Sequence, residues 1–195
     1  MEIEKEFDDL LREIKYCTLC DKVDHRQMYP GRYREGQKYF FVGASPWNFA
    51  GPEEAFRVGK ASQNFDKLLK ESGIDRQECF TTNAVIHIPI EETGSSRQPS
   101  VFEIFNCSKY LKKQLEIVNP KIVVALGAIA LNSLKIISYH NLLVGSDVGT
   151  GIEWNNRYLF VLTHPSPNAV SFRGWDLQVN DYKALKQFYE EKINV

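Results

Sequence analysis

The chain has 195 residues, 43% of them apolar and 25% charged, with a formal net charge of −1. That size and apolar fraction suit one hydrophobic core, so a single domain over residues 1–195 is expected. The near-neutral balance excludes a global basic field, so any nucleic-acid contact must come from a local patch. No apolar run is long enough to span a bilayer, which excludes a helical membrane protein.

Residues 2–16 set Ile3, Phe7, Leu10, Leu11 and Ile14 at helical spacing, the pattern of an amphipathic helix. This stretch lacks the apolar centre of a secretion signal, so a cytoplasmic location is expected. The four cysteines, Cys17, Cys20, Cys79 and Cys107, then read as thiols or metal ligands rather than disulfides. After C-T-L-C comes a polar loop with glycine and proline, then the aromatic run 39–42, which predicts a buried strand. Gly43 ends that strand and Pro46 forbids its continuation. A helix is predicted from Lys60, with Phe65, Leu68 and Leu69 on one face, ending at Gly73. The run CFTTNAVIHI predicts a second strand over 79–88, stopped by Pro89. A polar loop carrying Arg97 leads into the helix VFEIFNCSKYLKKQLEIV, which Pro120 closes. KIVVALG is the clearest parallel-strand run. AIALNSLK predicts a helix, Asn155-Asn156 between Trp154 and Tyr158 a hairpin turn, YLFVLT a strand, and 178–192 the last helix. Strands alternating with helices predict an α/β fold, a three-layer αβα sandwich around a mostly parallel four-stranded sheet.

In such a sheet, ligands bind where loops leave the carboxyl ends of the strands. Three strands carry polar punctuation there: GASPWN after the first, Asn83 in the second, and HPSPNAVSFRGW after the last. Taken in order, CTLC, GASPW, VGKAS, TNAVIH, Cys107, PKIVVALGAIA and HPSP resemble the uracil-DNA glycosylase superfamily, most closely its iron–sulfur family 4 branch. The resemblance covers nearly the whole chain. It implies a monofunctional DNA glycosylase that flips a damaged or modified pyrimidine out of DNA and hydrolyses its N-glycosidic bond.

The resemblance and side-chain chemistry together suggest roles. Asn83 suits the Watson–Crick edge of a pyrimidine. His164 can donate to the pyrimidine O2, where negative charge grows as the bond breaks. Gly43, Ala44, Ser45, Pro46 and Trp47 form the substrate loop, whose backbone N–H groups, with Lys60 and Ser166, can hold phosphates. Phe56, next to Arg57, is the candidate to stack on the base. Asn168, Val170 and Phe172 are candidates for a wedge filling the gap in the stack, with Arg173 on phosphate beside it.

Two departures stand out. Ala44 occupies the place of the family 4 Glu that positions the attacking water, which leaves Asn48, ahead of Glu53 and Glu54, as the favoured substitute. Arg57 occupies the place of the family's stacking Phe. Both changes point to a pocket not tuned to plain uracil alone, and the expected substrate is a damaged or modified pyrimidine, uracil or a bulkier base such as one of viral DNA, which would mean a defence role. At the metal site, His87 takes the position of a family cysteine. Cys17, Cys20, His87 and Cys107 therefore make a Cys₃His set for a 4Fe-4S cluster, with structural zinc as the alternative; Cys79 reads as a core thiol. DNA is the expected partner and a monomer the expected state. Two other classes compete with the enzyme: a catalytically silent module that binds DNA or a modified base, and a hydrolase of nucleotides or RNA bases.

Overall fold

The computed structural model of the protein describes residues 2–24, 28, 30–47 and 59–193. Runs of β-branched and aromatic residues become strands wherever a glycine, asparagine or turn interrupts them. These strands are β1 (Val23–Asp24), β2 (Tyr39–Gly43), β3 (Cys79–Asn83), β4 (Ile88–Pro89), β5 (Ile122–Leu126), β6 (Gly151–Trp154) and β7 (Arg157–Leu162). The helices are α1 (Glu2–Lys15), α2 (Lys60–Ser72), α3 (Val101–Val118), α4 (Ala128–Ile137), α5 (Pro167–Arg173) and α6 (Trp175–Lys192).

The main sheet has the order β3-β2-β5-β7-β6. The first four strands run parallel, and β6 lies antiparallel on β7. The expected four-stranded sheet is thus the parallel part of a five-stranded one. The extra strand is a half-exposed edge whose pattern carries little signal, yet its turn was legible. Asn155 and Asn156 take φ of 50° and 59°, the left-handed pair that a tight hairpin requires.

Strand alternation splits the core into two layers. Phe40, Val42, Val123, Ala125 and Val161 pack with Phe7 of α1, Leu111 and Leu115 of α3, and Leu131 and Leu134 of α4. On the other face, Phe41, Val124, Leu126 and Leu162 meet Phe65 and Leu68 of α2 and Val179, Tyr182 and Leu185 of α6. The result is the expected αβα sandwich. No helix among the described residues is long and apolar enough to cross a membrane.

Two other differences bear on the site. The strand expected over 79–88 is broken in the middle. After Asn83 the backbone turns onto the β2 loop, where Ala84 N–H donates to Gly43 O at 2.9 Å and Val85 N–H to Ala44 O at 3.0 Å. Ile88 and Pro89 then pair with Asp24 and Val23 in a separate ribbon. The segment after His164, expected as a loop, contains the short helix α5. Ser166 caps it by accepting from Ala169 N–H at 3.4 Å, and Pro167 occupies the first turn. Gly174, at φ 79°, separates α5 from α6.

Candidate active site

The carboxyl ends of β2, β5 and β7 open onto a cavity of about 650 Å³. Ala44, Ser45 and Trp47 line it from the β2 loop, and Lys60 and Ala61 from the first turn of α2. Gln98 comes from the segment before α3, Gly127 and Ile129 from the start of α4, and His164, Ser166 and Asn168 from the segment after β7. Strand register explains the meeting. β2 pairs directly with β5, and β5 with β7, so their ends reach one level and release their loops to one side.

His164 sits half-buried in the wall. Burial lowers its pKa, so the imidazole is neutral at pH 7 and has one N–H to donate. Two contacts set its place. Gly127 N–H donates to Leu162 O at 2.8 Å, drawing the β5–α4 turn against the end of β7. A Cβ at position 127 would stand 3.1 Å from His164 Cβ, a tight contact, and Gly127 has φ 86°, the backbone conformation that favours glycine. Asn64 of α2 donates to Pro165 O at 2.9 Å.

The β2 loop is held differently. Ser96 Oγ donates to Trp47 O, and residues 90 and 96 form a bridge that turns this segment back on itself. Its anchor is Arg97. The guanidinium donates to Ile90 O, Lys22 O and Gln98 O, each at 3.0 Å, and to both carboxylate oxygens of Glu103 at 2.6 and 2.8 Å. Burial alone would raise the Glu103 carboxyl, but hydrogen bonds from Arg97 and Ser100 outweigh it and hold the pKa below its ordinary value. Trp47, 51% exposed, stands at the cavity mouth.

Residues 30–191 match the model of the uracil DNA glycosylase superfamily. The chain belongs to the uracil-DNA glycosylase superfamily. It is 32% identical over 128 residues to the type-4 uracil-DNA glycosylase of Archaeoglobus fulgidus, covering 63% of this chain and 60% of that enzyme. It is 29% identical over 155 residues to the type-4 enzyme of Thermotoga maritima, covering 78% of each. A DNA polymerase of Bacillus phage SP01 matches 83% of this chain at 22% identity, over 17% of its own length.

In this superfamily member, the residues expected to touch substrate or DNA fall into four groups. Ala44, Ser45, Trp47, Lys60, His164, Ser166 and Asn168 line one hollow. Gly43, Pro46 and Asn83 are buried behind it; Asn83, 4% exposed, pairs in register with Gly43. Val170 and Phe172 lie on α5 beyond the wall, with Phe172 95% exposed. Arg173 is engaged in a two-pronged ion pair with Asp181, at 2.6 and 2.8 Å, that ties α5 to α6. Asn48, Phe56 and Arg57 lie outside the described residues. Gln98, Gly127 and Asn64 were not foreseen, since each reaches the site from an element whose local pattern is ordinary.

The thiols gather at the other end of α1. Cys17 packs with Ile86 and Tyr110, and Cys107 with Val85 and Ile104. Burial pushes the Cys107 thiol up to about 12, against a hydrogen bond from the Ile86 backbone, and negative charge on Cys20 or Cys17 would raise it further. Asn106 Nδ2 donates to Cys20 Sγ at 3.4 Å and to Leu19 O at 3.0 Å, binding the C-T-L-C segment to α3. His87 is buried next to Ile86 in sequence. Cys79 stands apart, with its Sγ on Asp75 O at 3.3 Å and its thiol raised to about 12 by burial. Among the described residues, no three His, Cys, Asp or Glu side chains converge as ligands of a single ion. Soft thiol donors suit both zinc and an iron–sulfur cluster.

Proposed function

We propose that the protein is a monofunctional DNA glycosylase that excises a flipped, modified pyrimidine and leaves an abasic site. The observation that carries this reading is His164, a neutral donor in the wall of a cavity at the carboxyl ends of the parallel strands. Membership of a superfamily whose characterised relatives bear the name uracil-DNA glycosylase supports it. In the reaction, the bond from the sugar C1′ to the base nitrogen breaks and its electron pair leaves with the pyrimidine. Charge collects on O2, and the His164 N–H stabilises it there. Water adds at C1′, and the proton it loses passes through solvent to the departing pyrimidine anion, leaving a 1′-hydroxyl on the sugar and a neutral free base. Asn83 reads the edge of the base, and the Gly43–Trp47 backbone with Lys60 and Ser166 holds the flanking phosphates. Phe172, the most exposed large apolar side chain, is the wedge, flanked by Asn168 and Val170.

No carboxylate lines the cavity among the described residues. Asn48, ahead of Glu53 and Glu54 on the same loop, is the candidate to orient the attacking water, and Ala44 leaves space beside the base. The same observation favours the second reading, a silent module that binds a modified base without cutting it. We assign Cys17, Cys20, His87 and Cys107 to a 4Fe-4S cluster that would tie the N-terminal segment to α3; iron content and visible absorption after anaerobic purification test that assignment.

The deciding experiment incubates uracil-containing and modified oligonucleotides with the protein and identifies the released bases by mass spectrometry. The account expects release of a substituted pyrimidine in preference to uracil. Tight binding with no release selects the silent module, and activity confined to plain uracil removes the modified-base part.

A further inference from the structure

We propose that Asn64 is a positioning residue for His164, acting through the carbonyl of Pro165. The inference rests on the base-excision reading for its kinetic consequence but not for its geometry.

Asn64 lies 101 residues from Pro165, and its Nδ2 donates to the proline carbonyl at 2.9 Å. The carbonyl belongs to the residue between His164 and Ser166, both of which line the cavity. Asn64 sits in the second turn of α2, one turn after Lys60 and Ala61 of the facing wall. One hydrogen bond thus joins the two walls and sets their separation. Asparagine is a poor choice inside a helix, because its amide competes for backbone groups. Here the amide is committed to the Pro165 carbonyl instead, which explains its presence where α2 otherwise packs by Phe65, Leu68 and Leu69.

The clamp has a second jaw. Gly127 approaches His164 from the end of β5, so closely that a Cβ there would press on His164 Cβ at 3.1 Å. The Ser166 hydroxyl is occupied in capping α5, so the segment after His164 is stiffened downstream as well. Gly127 limits movement of His164 in one direction by contact, and Asn64 limits the backbone beside it by a directed bond. Remove the N–H donor, and Pro165 O loses its partner and the segment is free to shift. A displacement of that kind costs rate rather than affinity, because the N–H of His164 must meet charge that exists only in the transition state.

The test uses the full-length protein with Asn64→Leu and Asn64→Asp. Both remove the N–H donor; Asp keeps the shape of Asn, so it serves if Leu impairs folding. Thermal melts establish that each variant is folded. The kinetic readout is kcat against KM for base release; the second readout is the ring NMR resonances of His164, recorded without substrate. The proposal expects kcat to fall about ten- to a hundredfold, the scale on which a misplaced group acts, with KM within twofold and the His164 resonances shifted in both variants. Asn64→Gln, which retains the N–H, should recover part of the rate. Wild-type kcat and unshifted His164 resonances in a folded variant overturn it. If the wild type itself releases no base, the excision reading fails, and the positioning role stands or falls on the resonances alone.

Discussion

Two loops face each other across the cavity, and they are held by opposite kinds of chemistry. The stretch around His164 is fixed by neutral contacts, namely the Ser166 cap, the Asn64 amide and the close approach of Gly127, and an ion pair, Arg173–Asp181, enters only at the far end of α5. The β2 loop is fixed through Ser96 to a segment anchored by the Arg97–Glu103 ion pair, whose side chains are only 18% and 4% exposed. Neutral, short-range contacts preserve geometry over a wide pH range. A buried ion pair holds well only while both partners are charged. The wall bearing His164 should therefore be the steadier of the two.

The sharpest way to break this contrast is to remove one partner of the ion pair. Glu103→Ala strands the Arg97 guanidinium and should destabilise the fold by about 3–5 kcal/mol, measured by urea unfolding; a loss within 1 kcal/mol would mean that the pair anchors nothing. Next in size is Gly127→Ala. An alanine forced to φ 86° costs about 1–3 kcal/mol of backbone strain, and its Cβ would press on His164 at 3.1 Å; a lower melting temperature with a shifted His164 resonance is expected. Ser166→Ala removes one cap and should cost only about 1 kcal/mol, with faster amide exchange confined to α5.

Acid sharpens the comparison without mutation. The Glu103 pKa is depressed in the folded state. Its contribution is therefore full above the ordinary carboxyl pKa and is lost as pH falls through the depressed value. Hydrogen exchange should show residues 90–98 losing protection on acidification before the amides of Gly127 and Ala169, which are held by neutral acceptors. Simultaneous loss in both would erase the distinction.

Much of the fold was legible because its signals are local. YFFVG, CFTTN and IVVAL are short apolar runs ended by small or polar residues, and all became β2, β3 and β5. VFEIFNCSKYLKKQLEIV became α3 from its first residue to its last because Ser100 and Glu103 form a reciprocal cap. The rest required distance information. β6 is a half-exposed edge, so no alternation marks it. The helix after Ser166 carried the right start signal, Ser followed by Pro, but its seven residues have no buried face to announce it. The cavity-facing loops were legible as motifs, whereas Asn64 and Gln98 matter only through partners far away in sequence.

The central claim is that His164 drives base release from this cavity. Single-turnover release of free base should be compared for wild type and His164→Ala, with DNA affinity measured on the same oligonucleotide. The account predicts that the rate drops by about 10²–10³-fold, as for loss of one oxyanion donor, while affinity stays within twofold. Base release by His164→Ala at the wild-type rate would contradict it.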